Sequence, residues 1–433
     1  MRLFSLFAMA AALLGADVHA EVVKLPLPKS CSGVPNMRYQ YTVNSGWTVM
    51  KIAGSLKQVR TVIWDTEGNM LVQQNTRGVS VHTFGADGCV NSTNMLISGG
   101  GLNHGLDLTP DGKTLYASSE TTLYSWAYDA LTRKVSNQKT IVKGMSTGVH
   151  SSRAVKVVPG QPNLVLLQVG SNSNFDMASQ QPSTGRACIK VFDTNNVPSG
   201  GYNYNTQGEM FGYGLRNEIG FVPDPNGVFW GPRSSTTVSP FLPSIPSTTT
   251  NPLPPPVGDP RTVRNAWYGY PTCFSVWDPS SFTNGLKTGQ HFVTAPNSSY
   301  NDATCNGKAI APRLTFQAHS APIWNTFDTD AKNMYITFHG SWNRQPPTGF
   351  KVVQVPFTRL ADGSYDPVAP ADSRTGYTDI FSATNPGSCT ANGLTQSSCF
   401  RLTAASWDPA GRGLFVGSDN SAEGEIYILS PKS

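Results

Sequence analysis

The sequence predicts an all-β protein and, within that class, a six-bladed β-propeller. Six stretches share one pattern: an apolar run, an Asp, Pro or Gly turn, a second apolar run and a polar end. They are residues 61–73, 106–117, 154–167, 220–230, 324–337 and 405–416. Charged residues make up only 14% of the chain, which suits short strands joined by many turns. Stretches with helical periodicity are scarce.

Each of the six stretches predicts a hairpin that forms the inner half of a propeller blade. In the first stretch, the turn runs from Asp65 to Gly68 between two apolar runs. The spacing between copies is irregular, which indicates loop insertions on one face. Six blades around a channel would leave a central pocket lined by the loops between blades.

The first twenty residues predict a secretion signal. Arg2 supplies the positive start, residues 3–14 the apolar core and residues 18–20 the cleavage site before Glu21. An N-terminal strand or buried helix is the alternative. The apolar run is too short for a membrane anchor, and no second long run occurs. We therefore expect a secreted, extracellular, monomeric protein with one propeller domain, residues 21–433.

Residues 234–264 have a different composition, rich in Pro and Thr. Proline lacks the backbone donor that a strand ladder needs, so this segment predicts a long low-complexity surface loop after the fourth repeat. A hinge between two domains is the alternative. The net charge of the whole chain is only +5 and no Lys/Arg run exceeds two residues, so no nucleic-acid-binding surface is expected.

Seven cysteines in an oxidising compartment predict disulfides. Proximity along the chain suggests the pairs Cys389–Cys399 and Cys273–Cys305, and Cys31 with Cys89. The seventh, Cys188, lies in an apolar strand and is expected to be a buried free thiol. No Cys-x-x-Cys motif suggests a zinc site. Asn-x-Ser/Thr acceptors at Asn91 and Asn297 predict N-glycosylation.

Histidines and arginines recur in the loops next to the repeats. Each could be a structural residue, but their matching positions in the blades predict one convergent site. They are His104, His150, His319, His339, Arg60, Arg153, Arg216, Arg344 and Arg401. Because the arginine fork suits carboxylates, such a cluster would require an anionic ligand with several carboxylates. Nucleotide-binding glycine motifs and His-Glu-x-x-His are absent from the sequence.

Longer motifs resemble the fungal pyrroloquinoline quinone (PQQ)-dependent pyranose dehydrogenases of auxiliary-activity family twelve, relatives of the bacterial soluble quinoprotein glucose dehydrogenases. The motifs are residues 102–105, 149–153, 170–174, 213–217, 268–273, 311–322, 338–344 and 424–427. They follow in order from about residue 59 to residue 429. The resemblance implies a six-bladed propeller that holds PQQ and a calcium ion and oxidises a pyranose at the anomeric carbon. Electrons would pass to a one-electron acceptor, a cytochrome or a copper polysaccharide monooxygenase.

The resemblance also implies the two catalytic residues. His150 matches the general base that takes the sugar hydroxyl proton, a role that suits an imidazole. Arg216 and Asn217 match the pair that contacts the quinone oxygens, where the arginine would stabilise developing charge.

Further cofactor-binding residues are implied in the same way. His319 matches a side chain that meets the cofactor, and Asn343 and Arg344 match a polar pair beside it, with Trp342 as a flat wall. Arg401 matches a carboxylate-binding arginine of the last blade. The remaining matches are Arg60 in the first blade and the loop residues Asn103 and His104, which would reach the cofactor or the sugar.

The chain departs from the family after the fourth repeat. The family continues with Glu-Asn-Ser and a later acidic stretch, whereas this sequence has Trp230 to Arg233 and then the Pro/Thr-rich segment. Backbone carbonyls suit calcium, so Gly231 and Pro232 are the predicted metal ligands, although Arg233 would bring a positive charge close to the ion.

Two alternative functions remain. A metal-dependent lactonase would need converging acidic ligands, for which Glu218 and Asp107 are the nearby acids. A catalytically impaired propeller that binds sugar or protein would follow if the altered segment has destroyed the cofactor site. A mis-predicted gene segment between residues 231 and 264 would give the same sequence.

Overall fold

The chain folds as an all-β propeller. The computed structural model describes residues 25–233, 237–241, 266–392 and 396–432. The predicted signal segment 1–20 and most of the predicted loop 234–264 lie outside the described residues.

The strands are short and follow one another closely along the chain. In the first half they are β1 (Tyr41–Val43), β2 (Trp47–Leu56), β3 (Val59–Trp64), β4 (Met70–Gln74), β5 (Gly78–Phe84), β6 (Val90–Ser98), β7 (Leu102–Leu108), β8 (Thr114–Ser119), β9 (Thr122–Asp129), β10 (Lys134–Lys143), β11 (Val155–Val158), β12 (Gln161–Val169), β13 (Cys188–Asp193), β14 (Tyr202–Asn203) and β15 (Glu209–Tyr213). In the second half they are β16 (Val222–Pro223), β17 (Phe229–Arg233), β18 (Thr237–Phe241), β19 (Ala266–Trp267), β20 (Cys273–Ser275), β21 (His291–Val293), β22 (Leu314–Thr315), β23 (Pro322–Phe327), β24 (Asn333–Phe338), β25 (Lys351–Arg359), β26 (Tyr365–Pro367), β27 (Thr378–Ala383), β28 (Ala391–Asn392), β29 (Gln396–Ser397), β30 (Leu402–Trp407), β31 (Leu414–Ser418) and β32 (Gly424–Pro431).

Within the described residues, six sheets contain four or more strands each. The first sheet consists of β3–β6, and the second consists of β7–β10 with β14 at its edge. The third contains β11, β12, β13, β15 and β19, and the fourth contains β16, β17, β18 and β22. The fifth sheet combines β23, β24, β25 and β27 with β1 and β26. The sixth consists of β30, β31 and β32, and β2 from the N-terminal region adds the outermost strand. Two further pairs, β20–β21 and β28–β29, are separate two-stranded sheets.

All six predicted hairpins are confirmed as antiparallel strand pairs at the start of a sheet. In four of them the turn is closed by an aspartate at the end of the first strand. Asp65, Asp224, Asp328 and Asp408 each accept hydrogen bonds from backbone N–H groups two to five residues further on. In the second hairpin, Thr109 does the same with its hydroxyl oxygen. Local side-chain acceptors therefore explain the repeated turn residues.

The apolar core lies between the faces of neighbouring sheets. One cluster joins Val62 and Val72 of the first sheet to Phe415 and Ile428 of the sixth. The ring is also closed by pairing, because β2 runs antiparallel to β32 from Trp47 opposite Pro431 onwards. Alternating side chains of each strand therefore contribute to the two neighbouring interfaces.

The expectation that prolines keep the whole segment 234–264 out of a sheet is wrong for its first part. Strand β18 pairs with β17 along its full length, with Pro240 opposite Trp230. On the other side of β18, the pairing with β22 ends at Val238. Pro240 thus has a neighbouring strand on one side only, and such edge positions tolerate a residue without an N–H.

The predicted cysteine chemistry is confirmed. Three disulfides link Cys31 to Cys89, Cys273 to Cys305 and Cys389 to Cys399. Cys188 is a buried free thiol on β13, and burial raises its pKa to about 11, so it is protonated at neutral pH. The second disulfide ties β20 to α1 (Asp302–Lys308), the single α-helix of the described part. No helix in these ranges is long and apolar enough to cross a membrane.

Candidate functional site

The predicted site residues lie where the first strands of several sheets begin. Arg60 is the second residue of β3 and Asn103 the second residue of β7, while Arg153 precedes β11 and Arg401 precedes β30. In a propeller the first strands line the central channel side by side, so their starting residues share one end of it.

His150 is held by Ser171 in a single orientation. Its Nδ1 lies 3.0 Å from the Ser171 carbonyl oxygen and 2.8 Å from the Ser171 hydroxyl. A carbonyl only accepts hydrogen bonds, and the Ser171 hydroxyl donates its own proton to the carbonyl of Ser173 at 2.8 Å. Nδ1 must therefore carry the proton, and Nε2 keeps its lone pair. No described residue hydrogen-bonds Nε2.

The charge state of His150 follows from its surroundings. Burial, followed by the positive charge of Arg216, lowers the pKa of His150 to about 4, although the bond to Ser171 acts in the opposite direction. The imidazole is therefore neutral at pH 7. A neutral imidazole with a free Nε2 lone pair can accept a proton from a bound hydroxyl group.

Arg153 fixes the loop that carries His150. Its guanidinium is fully buried and donates to the carbonyls of Glu120, Ser146, His150 and Ser152 at 2.5–2.9 Å. Burial lowers the pKa of Arg153 to about 10, so it remains protonated at neutral pH. Four neutral carbonyls thus surround a buried cation.

Arg60 links this loop to the first and last sheets. One of its nitrogens donates to the Ser152 hydroxyl at 3.0 Å, and the other meets Asp419 at 2.5 Å. Asp419 also accepts from Nε2 of His339 at 2.7 Å. Burial alone would raise the pKa of Asp419, but His339 and Arg60 together hold it below its usual range. Asp419 is therefore a buried carboxylate between two donors.

His339 and Arg401 complete this buried network. Arg401 donates to Nδ1 of His339 at 2.9 Å and to the carbonyl of Gly340 at 3.2 Å. Since Nδ1 accepts, the proton of His339 lies on Nε2 and points at Asp419. Burial, then the charge of Arg401, lowers the pKa of His339 to about 4. Both ring nitrogens of His339 are in use.

The predicted group around His319 continues from the same network. Arg401 donates to the carbonyl of Ser341, whose hydroxyl donates to the carbonyl of His319 at 2.7 Å. The exposed ring of His319 donates from Nδ1 to Oδ1 of Asn343 at 3.1 Å. Arg344 lies next to this group and donates to the carbonyl of Ala318 at 3.1 Å. Trp342, in the same loop, is 47% exposed.

Arg216 and Asn217 lie beside His150. Arg216 donates to Oδ1 of Asn174 at 2.5 Å, and burial lowers its pKa from the usual arginine value. A Cβ on Gly170 would come within 2.6 Å of the His150 Cβ and 2.9 Å of Oδ1 of Asn217. Glycine at position 170 therefore lets the two side chains approach. Oδ1 of Asn217 is buried and has no hydrogen-bond partner among the described residues.

The loop residues Asn103 and His104 have separate positions. Nδ2 of Asn103 donates to the carbonyl of Ser151 at 2.7 Å, which connects it to the His150 loop. His104 is fully buried, donates from Nε2 to the carbonyl of Ile219 at 2.7 Å and packs edge-on against Trp324. The structure therefore brings Asn103 to the site but gives His104 no surface that a ligand could touch.

The predicted metal ligands Gly231 and Pro232 are buried in the paired strand β17. Consecutive residues of a strand direct their carbonyls to opposite sides, so only one of the two can face β18. On the other side, β16 pairs with β17 no further than Trp230. One carbonyl is thus left outside both ladders. No group of three or more His, Cys, Asp or Glu residues suited to a metal occurs in the described ranges.

The acids of the lactonase alternative are engaged in the fold. Asp107 accepts from Lys156 Nζ at 2.9 Å and from the backbone N–H of Val157 at 2.7 Å. Glu218 is fully buried. Neither forms part of a carboxylate cluster.

Hydrogen bonds thus connect seven of the predicted residues into one continuous network. It runs from Asn343 and His319 through Arg401, His339, Asp419, Arg60, Ser152 and Arg153 to the His150 loop. Sequence reasoning missed Asp419, Ser171 and Asn174. Asp419 directly follows the last strand of a predicted hairpin, and this position was the available signal. Ser171 and Asn174 lie in the family motif 170–174, but the motif alone assigned neither of them a role.

Known proteins share this arrangement of the chain. A pyrroloquinoline quinone-dependent pyranose dehydrogenase of Coprinopsis cinerea is 38% identical over 413 residues, which is 93% of this chain. This chain spans 56% of that relative's length.

Two solved structures match closely. The holo form of the pyranose dehydrogenase PQQ domain from Coprinopsis cinerea has a TM-score of 0.83 at 37% identity, covering 92% of this chain and 99% of that one. A calcium structure of a Trichoderma reesei carbohydrate-active enzyme of family AA12 has a TM-score of 0.79 at 27% identity, covering 94% and 100%. The TrAA12-like family model matches residues 41–432, and the chain belongs to this family.

Proposed function

We propose that this chain is a PQQ- and calcium-dependent oxidoreductase that oxidises a pyranose at its anomeric carbon. The observation that carries the proposal is His150, a neutral imidazole with Nδ1 fixed by Ser171 and Nε2 available, next to Arg216. The names of the relatives, a pyranose dehydrogenase and its PQQ domain, point to the same chemistry.

The arginines of the site support an anionic cofactor. Arg153 and Arg216 donate to carbonyl and amide oxygens, and neither forms a salt bridge with any described residue. Arg216, bound only to neutral oxygens, leaves positive charge at this end of the channel, and the buried Arg153 adds to it although the charge of Glu120 offsets part of its own. PQQ is a tricarboxylate, so its anionic groups would compensate that charge.

Fewer residues are available to bind calcium than to bind PQQ. We propose one backbone carbonyl from Gly231 or Pro232, since the alternation of the strand leaves only one of them outside the ladders. The buried Oδ1 atoms of Asn217 and Asn103 have no partner in the described part and offer two further oxygens. Oxygen ligands of this kind suit a hard cation.

The residues of the site divide the proposed reaction between them. Bound PQQ would supply the oxidant, accepting a hydride from the anomeric carbon as the sugar becomes a lactone. His150 takes the proton of the anomeric hydroxyl at Nε2, which balances the loss of the hydride. Arg216 places a positive charge where negative charge develops on the acceptor. His319, Asn343, Arg344 and Trp342 would form the opposite wall.

We also propose that the propeller has six blades in one domain, residues 21–433. The support is the six sheets of four or more strands, which pack through an apolar cluster at each junction between neighbouring sheets.

Secretion and an external electron acceptor belong to the same proposal. Three disulfides and the exposed acceptors Asn91 and Asn297 suit an extracellular protein. The protein would act as a monomer and pass electrons singly to a cytochrome or a copper polysaccharide monooxygenase.

The deciding experiment titrates the purified, metal-stripped protein with PQQ and calcium and then measures dye reduction with a panel of pyranoses. We expect saturable binding of PQQ that requires calcium, and dye reduction that requires sugar. Failure to bind PQQ at micromolar concentration would reject the dehydrogenase and favour the impaired, sugar- or protein-binding propeller.

A further inference from the structure

A run of phenylalanines leads away from the mouth of the candidate site. It starts at Phe175, which is 62% exposed. The preceding residue, Asn174, accepts the hydrogen bond of Arg216, and Tyr270 donates to the carbonyls of Ser173 and Asn174. Phe175 therefore projects from the segment that holds His150 and Arg216 in place.

The next members lie on the outer face of the β20–β21 hairpin. Cys273 is paired with Val293, and both pack against Cys305 at the helix α1. Because side chains alternate along a strand, the cross-strand pair Phe274 and Phe292 faces away from that helix. Both phenylalanines are partly buried.

The rings form an unbroken row. Phe175 and Phe274 have centroids 5.9 Å apart, Phe274 and Phe292 6.1 Å, and Phe292 and Phe282 4.9 Å. We call these four residues the phenylalanine row. Buried aromatic clusters are ordinary core, but a row with a 62% exposed first member leaves apolar surface in water, which marks an interaction site.

We propose that the phenylalanine row binds the body of a linear glycan whose reducing-end sugar occupies the site at His150. This inference rests on the proposed function. Oxidation at the anomeric carbon requires the reducing end at His150, so the rest of a longer sugar chain has to leave through the mouth. The apolar C–H faces of successive sugar rings can stack on aromatic rings.

The chemistry of the row favours a glycan over an acceptor protein. The four side chains carry no charge or hydrogen-bonding group, whereas fast docking of a transient protein partner relies on complementary charge. An uncharged and elongated surface that begins at the catalytic mouth instead matches a chain of similar uncharged units, each of which could meet one of the inclined rings.

Turnover tests the proposal on the PQQ- and calcium-loaded protein. The substrates are the mono- to tetrasaccharides of four linear series, the cello-, xylo-, manno- and chito-oligosaccharides, with a dye as acceptor. In at least one series kcat/KM should rise about fivefold to tenfold from mono- to tetrasaccharide, the gain expected from stacking on one or two rings. Phe175→Ala should remove most of this rise, and Phe175→Trp should retain it. Leu131→Ala is the control, because Leu131 is 71% exposed on the β9–β10 turn.

A binding experiment separates failure of the phenylalanine row from failure of the proposed dehydrogenase activity. Cofactor-free protein is tested by calorimetry with the four tetrasaccharides reduced to their alditols, which cannot be oxidised at the anomeric carbon. Binding that Phe175→Ala weakens supports the row even if no sugar is turned over. Turnover of monosaccharides with no chain-length effect and no alditol binding in any series overturns the row and leaves the dehydrogenase intact. Phe175→Ala that slows reduction of cytochrome c, but not of the dye, would assign the row to an acceptor protein instead.

Discussion

Two halves of the same site use the same residue types in opposite ways. Around His339, every polar partner is committed: Arg401 donates to one ring nitrogen and Asp419 accepts from the other, and the residue is 6% exposed. Around His150, Ser171 fixes one nitrogen, and the other has no partner among the described residues.

The difference shows what makes a histidine available for chemistry. Both rings are neutral because burial and a neighbouring arginine lower their pKa to about 4. His339 cannot accept a further proton without breaking its bond from Arg401, so it acts as a bridge between cations and a carboxylate. His150 can accept one at Nε2, since its bonds leave that atom open.

Removing the imidazole of His150 should have the largest effect, a loss of turnover. We expect His150→Ala to lower kcat about 10²- to 10⁴-fold, the usual contribution of a positioned general base. The measurement is sugar-dependent dye reduction by the cofactor-loaded variant, with PQQ binding measured alongside. Normal turnover by His150→Ala would show that the base is another group.

Breaking the buried network around His339 should lower the stability of the fold. We expect Asp419→Asn to lower the free energy of unfolding by about 3–5 kcal/mol, because Arg60 and Arg401 would lose the buried carboxylate between them. Thermal unfolding followed by circular dichroism measures the loss. Asp330→Asn is the matched control: its ion pair with Lys332 is solvent-exposed, so its melting temperature should stay at the wild-type value.

Acid should weaken the fold through its buried neutral histidines. Burial lowers the pKa of His82 to about 4 and of His104 to about 3, from 6.5. Between the folded pKa of His82, about 4, and the unfolded value of 6.5, the unfolded chain binds more protons than the folded one. The stability contributed by the neutral histidine is therefore complete above pH 6.5 and falls as the pH drops towards 4. We expect the free energy of unfolding to fall by about 1–2 kcal/mol per histidine between pH 7.5 and pH 5.

A single substitution assigns that acid effect. Replacing His82 by Asn should flatten the fall in denaturant midpoint between pH 7.5 and pH 5. Equal slopes for wild type and His82→Asn would contradict the assignment.

Removing one of the two contacts between Ser171 and His150 should have the smallest effect, a modest loss of kcat. In Ser171→Ala the Ser171 carbonyl still accepts from His150, and the two hydroxyl contacts, with Nδ1 of His150 and with the Ser173 carbonyl, both at 2.8 Å, are lost. A net hydrogen bond is worth about 1 kcal/mol, so kcat should fall about twofold to tenfold with little change in KM. Ser171→Thr should restore kcat, and Ser173→Ala, which keeps its backbone acceptor, should not lower it. Loss of the Nδ1–H tautomer can be followed by ¹⁵N NMR of the imidazole.

The hairpins were predictable because their determinants are local. An aspartate at the end of a first strand, such as Asp65 or Asp408, caps its own turn within five residues, and the apolar alternation around it sets the strands. Strand β18 was missed because its neighbours β17 and β22 stabilise a proline-containing strand that local preference disfavours.

The site was predictable only in part, since its decisive contacts join distant parts of the chain. His339 was recognised from its motif and Arg60 from its position beside the first repeat, but the carboxylate that couples them, Asp419, lies 359 residues from Arg60. His104 shares a family motif with Asn103, yet packing against Trp324 buries it completely. Tertiary contacts thus decide which member of a motif stays accessible.

The pairing of β2 with β32 has a consequence for synthesis of the protein. The hydroxyl of Thr48 bonds to the carbonyl of Ser430, 382 residues further along the chain. The ribosome therefore releases the outermost strand of the sixth sheet at the beginning of translation and its partner at the end. Such a high contact order predicts slow folding, with β2 exposed as an unpaired edge until the last strand emerges. Maturation of the ring should accordingly be a post-translational event, and chaperones would have to protect the unpaired edge until then.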